Sequence, residues 1–141
     1  NVKGLLYVSR AIMPGMVGRK KGHIINISSV AGKQTYVNGV VYCASKKAVE
    51  AISEGMRLEL TEHGIKVTNI APGAVETEFS EVRFKGDRER AKKVYEGFEP
   101  LLAEDIADVI SYVVNVPDRV TIADITVYPK AQAAPTTIFR K

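Results

Sequence analysis

The chain has 141 residues, 45% hydrophobic and 26% charged, with one cysteine and a net charge of +4. That is the ordinary composition of one globular domain with a substantial core. No apolar run reaches the ~18 residues of a membrane span, and a lone cysteine excludes an internal disulfide and favours a reducing, cytoplasmic setting.

Residues 2–17 read as an amphipathic helix on Leu5, Leu6, Val8, Ile12 and Met16, with Pro14 a point for a kink. The cations Arg19, Lys20 and Lys21 follow it, where they suit the helix dipole. His23 to Ser28 reads as a short strand, apolar enough for burial on both faces. Residues 29–39 read as a loop. Val40 to about His63 reads as a long helix, closed by Gly64 in a left-handed cap. Residues 65–71 form a second strand, stopped by Pro72-Gly73. Residues 74–100 are an excursion too long for a connector, with one short helix around 87–96. The basic residues between Arg83 and Lys93 alternate with Asp87 and Glu89 and lack an aromatic stripe, so they read as a solvated face and not as a nucleic-acid surface. Glu104 to Val116 is a helix, Asp124 to Tyr128 a third strand, and Pro129 onward a polar tail.

This alternation points to βαβ units and a parallel sheet. The first strand is expected to have an open edge where another strand should pair. There is no starting methionine and no glycine-rich phosphate loop. The expectation is therefore the second half of an enzyme, inactive alone and prone to associate through that edge.

Three residues carry the chemistry. Tyr42 lies four positions before Lys46 in the long helix, so both share a face. A free tyrosine, pKa ~10, is a poor proton carrier near neutral pH, and a two-unit drop needs roughly 2.7 kcal/mol of differential stabilisation. The Lys46 ammonium is expected to supply part of it. The plain alternative is a chance Tyr-x-x-x-Lys on an amphipathic helix. Ser29 ends the first strand, where open α/β sheets bind ligands. Its alternative is a serine capping its own backbone, which applies equally to Ser28. Pro72-Gly73-Ala74-Val75-Glu76-Thr77 ends the next strand at the same edge, and by itself reads as a strand-ending turn.

The ordered set Asn1, Ser29, Tyr42, Lys46 and Pro72-Gly73 to Thr77 resembles the short-chain dehydrogenase/reductase family. The likeness runs through Asn1-Val2-Lys3-Gly4, Gly22 to Ser29, Tyr42-Cys43-Ala44-Ser45-Lys46 and Asn69 to Gly73. It covers that family's C-terminal half, so the fold implied is the C-terminal part of one Rossmann-like, doubly wound parallel sheet over residues 1–141. Thr77 to Asp87, Ala123-Asp124 and the tail through Arg140 are similar to the NADP-dependent 3-hydroxy acid dehydrogenases, which include serine 3-dehydrogenases acting also on L-allo-threonine. The resemblance implies a catalytic tetrad of Asn1, Ser29, Tyr42 and Lys46. Tyr42 would be general base in oxidation and acid in reduction, and Ser29 would orient the substrate oxygen. Lys46 would hold the nicotinamide ribose and lower the Tyr42 pKa, and Asn1 would hold a water leading to Lys46. Pro72, Gly73, Ala74, Val75, Thr77 and Phe79 would line the cofactor. NADP is implied by the subgroup alone, because the residue that selects it follows a strand with no counterpart here.

Arg83, in the loop that would close over substrate, suits a bidentate grip on a carboxylate, or a plain surface role. His23 and His63 lack metal-ligand spacing, no metal is expected, and Cys43 reads as a small buried thiol. Residues 2–17 and 40–60 spread their apolar residues wider than one stripe; in the family these helices pair with their copies across a dimer interface, and the resemblance implies a homodimer or homotetramer. The competing class is a silent dimerising module that has lost the cofactor half.

Overall fold

The computed structural model describes residues 1–141. Helix α1 (Lys3–Arg19) leads to strand β1 (Gly22–Ile27), a short α2 (Val30–Lys33) and the long α3 (Val40–Leu60). A single 3-10 turn follows, and Gly64 then adopts φ 72°, the left-handed cap expected there. Strand β2 (Ile65–Pro72), short helices α4 (Phe79–Arg83) and α5 (Arg88–Lys93), helix α6 (Ala103–Asn115) and strand β3 (Asp124–Val127) complete the main body. The tail forms a hairpin of β4 (Gln132–Ala134) and β5 (Thr137–Ile138).

The three long strands form a parallel sheet in the order β1-β2-β3. As the central strand, β2 is buried at every residue except Lys66 and Gly73 lies just beyond it. The sequence expectation for β1 needs correction: only Ile24 and Asn26 are buried, and Ile27 is 42% exposed. Its outer edge has no partner strand, and its apolar run is not covered on both faces.

The core lies between the sheet and two helices. Ile24, Ile65 and Val67 of the strands meet Met56 and Leu60 of α3, with Met13, Met16 and Val17 of α1 packed against them. Burying each such side chain contributes about 1.5–3 kcal/mol. In α3 the buried residues Cys43, Val49, Ser53, Met56 and Leu60 follow helical spacing, which makes one stripe face the sheet. Asn26 of β1 donates to Ser53 Oγ at 2.8 Å, a buried polar tie between strand and helix. Pro14 sits inside α1, which remains one helix.

Three local expectations are corrected. Residues 30–33 are helical, although four residues are too few to show a period. Helix α4 replaces part of the irregular excursion, and α5 is shorter than residues 87–96. The tail is ordered by tertiary contacts: the Arg140 guanidinium donates to the carbonyls of Val94 and Glu96 and lies over the Phe98 ring, 5.1 Å from its centroid. No helix is long and apolar enough to cross a membrane.

Candidate active site

The C-terminal ends of β1 and β2 open into one cleft of about 300 Å³. Ser29, Tyr42 and Lys46 line it from one side. Pro72, Gly73, Ala74, Val75 and Thr77 form its floor, and Phe79, Arg83, Tyr95 and Ile138 close the other side.

Ser29 is 9% exposed and caps α2, its Oγ accepting the Ala31 N–H at 3.1 Å. The capping alternative therefore holds. Because the cap uses an acceptor lone pair, the Ser29 hydroxyl proton stays available to a ligand oxygen. Ser28 is structural: its Oγ lies 3.1 Å from the Lys46 carbonyl and 3.3 Å from Glu50 Oε1, tying β1 to α3. Gly32 lets α2 approach α3. A Cβ there would stand 2.8 Å from the Lys46 carbonyl oxygen and from Ser28 Oγ.

Lys46 turns its ammonium to the Ile27 carbonyl, 3.0 Å away, and burial lowers its pKa. Tyr42 is not acidified in this state. Burial raises its pKa, while the neighbouring Ser29 hydroxyl and the Arg83 guanidinium pull it down. Lys46 is not among these influences, contrary to the expectation from helical spacing. Arg83 reaches over the Tyr42 ring, its guanidinium carbon 5.9 Å from the centroid, and Phe79 packs against the same ring at 5.5 Å. Asn1 lies outside the cleft lining. Its side-chain amide donates to Ser45 Oγ at 3.0 Å, and so reaches the Tyr42–Lys46 turn without touching Lys46.

A polar network braces the site from below. Lys33 contacts Asp124 at 2.8 Å and Glu50 at 3.3 Å, and Asn69 donates to the same Asp124 oxygen at 2.7 Å. Burial works against the Lys33 charge, but Asp124 and Glu50 outweigh it and raise the pKa.

The sequence profile described as short chain dehydrogenase matches residues 1–88. The chain belongs to the short-chain dehydrogenase family. It is 41% identical over its full length to an NADP-dependent 3-hydroxy acid dehydrogenase of Schizosaccharomyces pombe, of which it covers 54%. It is 46% identical over 134 residues to the NADP-dependent 3-hydroxy acid dehydrogenase YdfG of Salmonella typhimurium, 94% of this chain and 54% of that protein. The closed form of a serine dehydrogenase complexed with NADP+ superimposes with a TM-score of 0.92 at 41% identity, over 99% of this chain and 56% of that one. The chain spans about half the length of the relatives it matches.

Within this short-chain dehydrogenase the structure brings Ser29, Tyr42, Lys46, the Pro72–Thr77 turn, Phe79 and Arg83 to one cleft. Sequence reasoning missed further lining residues, among them Tyr36, Tyr95 and Gln132. The Tyr95 hydroxyl bonds the Val75 carbonyl at 2.9 Å and Ser80 Oγ at 2.8 Å, joining the end of α5 to α4 and to the cleft floor. No local pattern marks these positions. Tyr36 comes from the connection between α2 and α3, and only the fold of the excursion and the tail brings Tyr95 and Gln132 to the cleft.

Proposed function

We propose that this chain supplies the catalytic part of an NADP-dependent oxidoreductase that interconverts the hydroxyl and carbonyl of a small 3-hydroxy acid, of the size of serine or allo-threonine. One observation carries the reading: a half-buried phenol, a serine hydroxyl and a lysine ammonium line one cleft at the C-terminal ends of parallel strands, where open α/β sheets take ligands. The relatives' NADP dependence supports the choice of cofactor.

The donor set fits the nicotinamide end of such a cofactor. Lys46 bonds only one protein acceptor, Ile27 O, which leaves ammonium protons for a ribose diol. The nicotinamide supplies the hydride chemistry when bound. The protein's part is position and protons. Ser29 donates to the substrate oxygen. Tyr42 takes the hydroxyl proton in oxidation and returns it to the carbonyl oxygen in reduction. With the phenol held neutral by burial, a cationic ring and the Lys46 ammonium next to bound ligand are what make it acidic enough to work. Arg83, beside Tyr42 and in the cleft wall, grips the substrate carboxylate through a charge-assisted pair. Asn1 holds the Ser45 hydroxyl and with it the turn that carries Tyr42 and Lys46.

The exposed apolar residues Leu6, Tyr7 and Val8 of α1 and Val40 and Val41 of α3 form the homo-oligomer interface in this reading.

The test is nicotinamide reduction by the full-length protein with L-serine, L-allo-threonine and 3-hydroxypropionate against neutral alcohols of equal size. Turnover confined to the acids supports the proposal. Binding of NADP without turnover of any hydroxy acid overturns it in favour of a silent module.

A further inference from the structure

Gln132 lies in the tail hairpin, far along the chain from the catalytic residues, yet it is 6% exposed and lines the cleft. Its side-chain amide is used on both sides. Oε1 accepts the Ala74 N–H at 2.8 Å, and Nε2 lies 3.2 Å from the Ala134 carbonyl and 3.4 Å from that of Pro135. One donor in front of the oxygen and two acceptors in front of the nitrogen fix the amide's orientation. The amide also presses on Gly73, where a Cβ would stand 2.3 Å from Oε1.

The floor of the cleft is held at each neighbouring group. The Gly73 N–H donates to Val127 O at 2.7 Å, and the Ala74 carbonyl accepts from Leu101 N at 3.0 Å. A trans peptide points its N–H opposite to its carbonyl. With the Ala74 carbonyl held on Leu101, the Val75 N–H turns away from that strand, and it has no partner in the chain. The backbone amides of Gly73, Ala74 and Glu76 are consumed inside the protein, so the N–H groups of Val75 and Thr77 are what this turn leaves for a ligand, and Val75 is the one next to the Gln132 bond.

We infer that Gln132 is a positioning residue, which locks the Gly73–Ala74 peptide and thereby aims the free Val75 N–H into the cleft where the cofactor lies. The inference rests on the cofactor reading given under Proposed function. A glutamine suits the place because a carboxylate would keep the acceptor for Ala74 but lose both donors to the hairpin, and would set a negative charge beside an anionic cofactor.

The experiment compares Gln132→Met and Gln132→Glu with the parent in the full-length protein. Amide hydrogen exchange at Ala74 and Val75 is read without ligand, and NADP affinity by titration calorimetry. In Gln132→Met, which keeps the shape, Ala74 exchange accelerates, the dissociation constant for NADP rises about tenfold, and kcat at saturating cofactor changes less than about threefold. Gln132→Glu restores Ala74 protection and not affinity. Unchanged Ala74 exchange in Gln132→Met removes the lock. Faster exchange with unchanged affinity removes its link to the cofactor. A parent that binds no NADP defeats the cofactor reading, while the exchange data still decide whether Gln132 holds the turn.

Discussion

The two walls of the cleft are built on different principles. Ser29, Tyr42 and Lys46 stand on β1, α2 and α3, elements that pack on the sheet. Cys43, next to Tyr42, is 0% exposed, and Asn26, Ser28, Gly32 and Lys33 tie the elements together from below. The opposite wall comes from α4, the end of α5 and the tail hairpin. There Val82 is 75% exposed, and the parts are held by a few bonds from Tyr95, Gln132 and Arg140 to backbone. In the proposed reaction the groups that move a proton need fixed geometry, and the packed wall offers it. Groups that recognise a substrate need variety, and a peripheral wall can change without disturbing the sheet.

The sharpest way to break this contrast is on the packed wall. Tyr42→Phe keeps the ring and its contact with Phe79, so the fold stays, while turnover falls about 10³-fold. Initial rates with circular dichroism on the same sample check it, and an active Phe variant would move the proton chemistry elsewhere. Next comes Arg83→Ala on the opposite wall. It lowers kcat/KM for a 3-hydroxy acid about 10–100-fold and leaves a neutral alcohol nearly unchanged. Equal losses on both substrates would deny Arg83 its carboxylate.

Gly32→Ala probes the bracing directly. Its Cβ meets the Lys46 carbonyl, which cannot yield as a flexible side chain would, and about 1–3 kcal/mol of stability is lost in denaturant titration. Wild-type stability in that variant would mean that α2 has room to shift. A pH profile then links the walls. Arg83 lowers the Tyr42 pKa, so in Arg83→Ala the acidic limb of alcohol oxidation moves to higher pH, as it does in Ser29→Ala. A downward move would reverse the electrostatic assignment.

The smallest effect belongs to Lys33. A raised folded pKa gives stability that is complete below the ordinary lysine value and is lost as pH rises through the folded value. Lys33→Met is therefore destabilised by about 0.2–1 kcal/mol at neutral pH, because the pair is partly solvated. The gap narrows above about pH 10. A constant gap across that range would assign the loss to packing.

The packed wall was also the legible one. The stripe of α3 repeats over many turns, β2 is rich in β-branched residues and stopped by Pro72-Gly73, Gly64 announces a helix end, and Tyr42, Lys46 and Ser29 lie at short spacings within or beside these elements. The other wall has no such signals. Gln132-Ala133-Ala134 contains no β-branched residue, and its strand exists because Gln132 and Arg140 anchor it to distant backbone. Burial of β1 was misread because coverage depends on what packs over each face of the strand, and composition cannot report that. The influence on Tyr42 was assigned to Lys46 from helical spacing. In the folded chain Lys46 leans on Ile27 O, and Arg83 arrives from a segment remote in sequence.

Val75 and Leu101 pair as an isolated parallel bridge, with Glu76 N–H on Leu101 O and Leu101 N–H on Ala74 O. The whole excursion thus leaves and returns through one clasp beside the sheet. With its ends fastened there, doubling the length of the insert adds only about 0.6 kcal/mol of closure entropy. The clasp makes the segment an exchangeable cassette, and under the proposed function grafting a longer or shorter one between these two residues is a route to new substrate preference that leaves Ser29, Tyr42 and Lys46 where they stand.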